Sequence, residues 1–187
     1  MSLLLALLTI TTTPAAEERL SRLTKLYEDI CLHRFPDDEG VEAMMIARGA
    51  RELSKSDVKV TMRDDPARAW DLNDEGATLW IEYPPFHACS VRWSAPEIGN
   101  MDAYRAIAKT YEDAIGGFVP ISPMDGDQGD IHIHAVGETR TLPDKTSESL
   151  FFFEQRITDP KRRAAGETGF TLRFVHQYAP PEPGAAN

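Results

Sequence analysis

The sequence predicts one α+β domain over residues 17–178, with three helices and a mainly antiparallel sheet of about six strands. Two stretches place apolar residues at three- and four-residue spacings, the period of an amphipathic helix, while the middle and the final third hold short runs of aromatic and β-branched residues. At 187 residues the chain suits a single core, and 42% hydrophobic with 27% charged residues is ordinary for a soluble fold.

The opening, "MSLLLALLTITTTPAAEERL", runs apolar from Leu3 to Ile10 and then turns abruptly charged. That run is too short to span a bilayer and has the length of a signal-peptide core, so residues 1–16 are expected to be a leader and the chain periplasmic or secreted. No Lys or Arg precedes the run, and the cleavage region offers Thr13/Ala15 or Pro14/Ala16 in place of Ala-x-Ala. The competing reading is a buried N-terminal element. No cysteine follows the run to carry a lipid anchor, and no later stretch predicts a membrane span.

In "EERLSRLTKLYEDIC", Leu20, Leu23, Leu26, Tyr27, Ile30 and Cys31 form one stripe, so the first helix should turn the Cys31 thiol to the core. Pro36 should end that helix, Asp37 or Asp38 should cap a second one packed through Val41, Met44 and Met45, and Gly49 should close it. "ARAWDL", "ATLWIEYP" and "ACSVRWS" read as strands, the first two joined by the turn "NDEG" at 73–76. "NMDAYRAIAKTYEDAIGG" restores helical spacing, with Asn100 as N-cap and Gly116 as stop. "DIHIHAVG", "SLFFFEQRIT" and "GFTLRFVHQY" then read as strands, the last two a hairpin around "DPKRRAAGET". The Pro- and Gly-rich 179–187 is expected to be a disordered tail.

With 30 acidic and 20 basic side chains the net charge is −10, which argues against nucleic acid and anionic membrane surfaces as partners. "PKRRAAGE" at 160–167 is the main basic stretch and reads as a solvated turn.

The two cysteines are mirrored: His33 follows Cys31 by two positions, and His87 precedes Cys89 by two. A Cys2His2 zinc site strains this spacing, because residues two apart on a helix point to nearly opposite faces. There is no Cys-x-x-Cys motif for redox chemistry. In an oxidising compartment, two core-facing cysteines suit a Cys31–Cys89 disulfide; in a reducing one, both are buried thiols.

His132 and His134 share one face of a strand, about 7 Å apart from the strand rise, and with a third donor from Asp130, His87 or His176 they suit a zinc or copper ion. Period-two alternation also admits a plain reading, with Ile131, Ile133 and Ala135 facing the core and the imidazoles facing solvent. "PMDGDQGD" at 123–130 lacks calcium ligands where Gly129 and Val136 stand and reads as a polar turn. No hydrolase, phosphate-binding or metalloprotease motif is present, and no catalytic residue is nominated.

The segment "LYEDICLHRFPDDEGVEAMMIARG", followed by "HACSVRW", resembles a loose group of small exported bacterial proteins of unassigned function that share a paired-cysteine pattern. The resemblance implies export and a disulfide, and implies no activity. The expected function is therefore that of an exported, non-catalytic binding protein whose partner is another protein or a cell-envelope component. The alternative is a metal-binding protein using His132 and His134. Aromatic residues Trp70, Trp80, Tyr83, Phe86 and Trp93 offer either an exposed docking patch or core packing, and a third possibility is an enzyme with a pocket between the last helix and the sheet.

Overall fold

The computed structural model describes residues 14–84, 86–96, 100–160 and 168–177. Among them, nine strands form one antiparallel sheet flanked by four α-helices, so the class agrees with the sequence reading while six strands and three helices were too few. The helices are α1 (Pro14–Tyr27), α2 (Asp38–Ala47), α3 (Lys55–Met62) and α4 (Asp102–Ile115). The strands are β1 (Arg51–Glu52), β2 (Ala67–Asp71), β3 (Ala77–Glu82), β4 (Phe86–Ala95), β5 (Val119–Pro120), β6 (Met124–Gln128), β7 (Ile131–Thr141), β8 (Ser147–Ile157) and β9 (Thr168–Gln177). Their order is β1-β2-β3-β4-β9-β8-β7-β5, with β6 also paired to β7.

The stripe on α1 is buried as expected, but the helix does not stop at Tyr27. Glu28–Leu32 forms a π-turn, in which His33 N–H bonds to the Glu28 carbonyl at 3.1 Å and Phe35 N–H to the Ile30 carbonyl at 2.8 Å. The wider turn brings three consecutive residues, Ile30, Cys31 and Leu32, into the core. The Asp37 side chain caps α2 by accepting from Gly40 N–H at 3.0 Å. Asn100 accepts from Asp102 N–H at 2.9 Å at the start of α4, and Gly49, Gly76 and Gly116 take the positive φ that ends an element or turns a hairpin.

α1 and α4 lie on one sheet face, where Leu23, Tyr27 and Tyr104 join Leu79, Cys89, Val91, Leu150 and Leu172 in the main core. On the other face α3 covers only β2 and β3, packing Val58 and Met62 on Ala69 and Trp80. The remainder of that face carries an ion triad: Glu82 accepts from Arg92 at 2.9 Å and from Arg173 at 2.7 Å, with Arg92 stacked 4.6 Å from the Trp80 ring centroid.

The sequence reading is corrected in three places. Helix α3 occupies a stretch to which the sequence reading assigned no element, and β6 replaces the polar turn at 123–130. Trp70, Trp80 and Trp93 are core residues and Tyr83 is half-buried, so the aromatic patch reduces to Phe86, which is 52% exposed. Pro14–Ala16 form the first turn of α1; the rest of the expected leader, the tail at 179–187 and basic residues 161–167 lie outside the described residues. No helix among the described residues is long and apolar enough to cross a membrane.

Candidate functional site

The mirrored Cys and His residues separate. The Cys31 and Cys89 sulfurs lie 1.98 Å apart, at disulfide distance, with both residues fully buried. His33 is exposed, while His87 Nε2 lies 2.8 and 3.0 Å from the Asp38 carboxylate oxygens with its ring against Phe35. With each sulfur bonded to the other, these residues do not assemble a Cys2His2 set.

His132 and His134 do share a face, and the neighbouring strand supplies carboxylates to it. The register pairs Asp127 with His132 and Asp125 with His134. His132 Nδ1 lies 2.8 Å from Asp127 and its Nε2 3.0 Å from Asp125; His134 Nδ1 lies 3.4 Å from Asp125. The hydrogen bond to Asp127 leads the causes that raise the His132 pKa. His176 stands level with Glu148 and Arg140, at the far end of β7, so register keeps it from joining these imidazoles. Among the described residues no group of three or more His, Cys, Asp or Glu is placed to hold a metal ion.

β7 follows the plain reading in burying Ala135 and leaving both imidazoles partly exposed, but departs from it in which face the helices cover. Its helix-side face carries His132, His134, Val136 and Glu138, because Val136 pairs with the core residue Phe152, and Ile131, Ile133 and Ala135 take the other face. α4 crosses only part of the helix-side face. Between the two a cleft of about 440 Å³ remains, within the size range of small-molecule sites.

Two periodicities build this cleft. On α4, Tyr104, Ala108 and Glu112 recur every four residues and point one way; on β7, His134, Val136 and Glu138 alternate onto one face. Met101 and Phe152 complete an apolar wall. Lys109 and Arg105 also reach the lining, but Lys109 is paired to Asp113 at 2.9 Å and Arg105 to Asp102 at 3.2 Å. Glu112 and Glu138 have no hydrogen-bond or ion-pair partner among the described residues. Burial raises the Glu138 carboxyl, and burial followed by the charges of Glu138 and Asp113 raises that of Glu112. Tyr104 is only 7% exposed, and its phenol is held above the ordinary tyrosine range by burial, then by Glu138 and Glu112.

A larger groove of about 890 Å³ runs along β3, β4 and β9 and round the sheet end to Arg19 of α1, but it is open and its cations are already engaged. Arg19 donates to the Glu75 and Gly76 carbonyls at 2.9 and 2.8 Å, and Arg92 donates to Glu82. The cleft, with unpaired polar groups facing an apolar wall, is the better candidate. The sequence reading nominated neither of its carboxylates. A signal existed, since Glu112 falls in register with Tyr104 and Ala108, and Glu138 in register with His134.

Compared with protein-family models, curated proteins and solved structures, the chain matches none of them.

Proposed function

We propose that this chain is an exported, non-catalytic binding protein, locked by the Cys31–Cys89 bridge, whose ligand enters the cleft between α4 and β7. The ligand is a small envelope component or a group presented by a protein partner. The observation that carries the reading is the pair of half-buried carboxylates, Glu112 and Glu138, left unpaired against an apolar wall. Desolvated charges without partners are costly, so their presence here argues for a ligand that compensates them. A buried cystine supports residence in an oxidising compartment. The absence of catalytic sequence motifs favours holding over turnover.

Native mass spectrometry of the protein incubated with envelope extract from its host tests the binding reading. A mass adduct is expected on the wild type and not on Val136→Trp, which fills the cleft mouth. No adduct, or one of equal occupancy on both proteins, would refute it. Export is tested by the intact mass of the protein from its host, with alkylation before and after reduction. Loss of the first 15 or 16 residues and thiols that label only after reduction are expected. A full-length chain with free thiols would place it in the cytosol.

A second reading, zinc or copper binding, is favoured by the placement of Asp125 and Asp127 against His132 and His134. Under it, zinc binding measured by calorimetry disappears in the double variant His132→Ala/His134→Ala. Equal affinity in the variant and the wild type refutes it.

A further inference from the structure

We infer that the cleft between α4 and β7 recognises an ammonium group carried on a short apolar body, with the cation between Glu112 and Glu138 and the body against Met101, Ala108 and Phe152. The inference rests on the cleft being the binding site and adds the chemistry of what it takes.

Five ionisable side chains other than tyrosine reach the lining: Arg105, Lys109, Glu112, His134 and Glu138. Three have carboxylate partners of their own, Arg105 with Asp102, Lys109 with Asp113 and His134 with Asp125, and the Lys109 charge also reaches Glu112. The two that remain are both carboxylates, on opposite walls. An anionic ligand would bring a third negative charge into this partly dehydrated space. A neutral ligand would displace water and leave Glu138 with no opposing charge and Glu112 with only the Lys109 ammonium, which Asp113 already holds. A single positive charge opposes that cost.

Tyr104 supplies an independent observation. Its side chain is more than nine-tenths buried, lines the cleft, and makes no hydrogen bond among the described residues. Its oxygen is not among the fully buried unpaired atoms, such as Thr24 Oγ1 and Tyr27 OH, so the ring is enclosed while the hydroxyl stays open to an incoming donor. Tyr104 lines the same cleft as Glu112 and Glu138, and their charges follow burial among the causes that raise its ionisation. An ammonium has three donors and no acceptor. Two carboxylates and a phenol oxygen in one cleft offer acceptors to those donors and no donor that an ammonium would have to displace.

A multivalent metal ion fits less well, since no group of three or more His, Cys, Asp or Glu is placed to hold one among the described residues. The apolar wall would also be without purpose for a bare ion. With a volume of about 440 Å³, the cleft has room for a ring or short alkyl chain beside the charge.

The test is a titration of the full, disulfide-intact protein followed by ¹⁵N NMR, using 2-phenylethylamine, n-hexylamine, 2-phenylethanol and 3-phenylpropionate as probes at pH 7.5. The amines are expected to shift the amides of 101–112 and 134–138 and to bind about tenfold or more tightly than the alcohol, with the acid weakest. Glu138→Gln and Glu112→Gln are each expected to weaken amine binding about tenfold while keeping the native spectrum. If the alcohol binds as tightly as the amines, or the Gln variants bind amines unchanged, the ammonium assignment fails and the cleft remains a binding site for something else. Failure of both amines to perturb the cleft also overturns the assignment. The Val136→Trp adduct experiment then judges the cleft separately.

Discussion

Replacing both bridged cysteines, Cys31→Ala/Cys89→Ala, should lower the stability of the fold more than any single surface change. The bridge closes a loop with a sequence separation of 58 residues. In the chain-entropy account a loop of that length restricts the unfolded chain by about 4 kcal/mol. For a chain of this size each kcal/mol moves Tm by about 2–4 °C, so a fall of about 8–16 °C is expected. Burial adds a kinetic signature. Both cysteines are fully buried, Cys31 in the π-turn and Cys89 on β4 near the middle of the sheet, so a reductant reaches the sulfurs only when the core opens. The assay is a pair of melts followed by circular dichroism, wild type against double variant, with timed alkylation of the wild type in dithiothreitol at 25 °C. Labelling should be slow below the melting range and rise steeply within it. A double variant melting within about 3 °C of the wild type would refute the loop-entropy argument. Complete labelling within minutes in the folded state would refute the burial argument.

Three further changes probe other parts of the fold. Glu82→Leu leaves Arg92 and Arg173 facing each other without their shared carboxylate and should cost about 3 kcal/mol in urea denaturation; a loss below about 1 kcal/mol would show the triad to be only a surface pairing. Gly137→Ala should cost about 2–3 kcal/mol, because an added Cβ would sit 2.3 Å from the Leu150 carbonyl oxygen, whereas Gly126→Ala meets nothing within 4 Å and should be near neutral. Equal melting of the two glycine variants would contradict the register of β7 on β8. Glu138→Gln should stabilise the protein at neutral pH. Burial raises the folded pKa of Glu138, and that of Glu112 beside it, so the folded chain holds protons that the unfolded chain has already released. On this account stability falls as pH rises from the ordinary glutamate range through the raised folded values. Arg105, Lys109 and His134 face the same space and stay engaged with Asp102, Asp113 and Asp125. The variant should match the wild type near pH 4 and melt above it by pH 7, by a margin that solvent screening keeps small. A variant less stable than the wild type at pH 7 would count against unpaired carboxylates.

What the sequence made legible was set by local periodicity. The stripe from Leu20 to Ile30 and the stripe from Tyr104 to Ala108 located α1 and α4, Asp37 and the turn at 73–76 marked ends that the structure keeps, and Asn100 lies one residue before the true N-cap, Met101. Helix α3 was hidden because Val58, Val60 and Met62 alternate like a strand; only Val58 and Met62 are buried, while Val60 is 84% exposed. Its start could have been read from Ser54, whose hydroxyl accepts from Asp57 N–H at 3.2 Å. Strand β6 was hidden because an edge strand needs no apolar alternation, and Met124–Gln128 holds two aspartates and a glycine. The direction of β7 was undecidable locally, since either set of alternate residues suits a core until α4 is placed over one of them. For the same reason Glu112 and Glu138 could be seen as charged residues but not as partners across a space. The π-turn left no local mark, because three consecutive buried residues fit neither a regular helix nor an alternating strand.

The position of β9 has a consequence for the order in which the molecule can be built. Residues Thr168–Gln177, late in the chain, fill the centre of the sheet between β4 and β8, which pair with each other only through it. Until that segment arrives, the chain consists of two half-sheets with bare inner edges, one ending in β4 and the other beginning at β8. Both cysteines belong to the first half, so the covalent link can close there while the sheet is still divided. Completion must wait for the last strand to slide between the halves, a long-range step that topology makes slow and that leaves two edges open to wrong pairing meanwhile. A chain built this way has an incomplete sheet until residues 168–177 are free to join it.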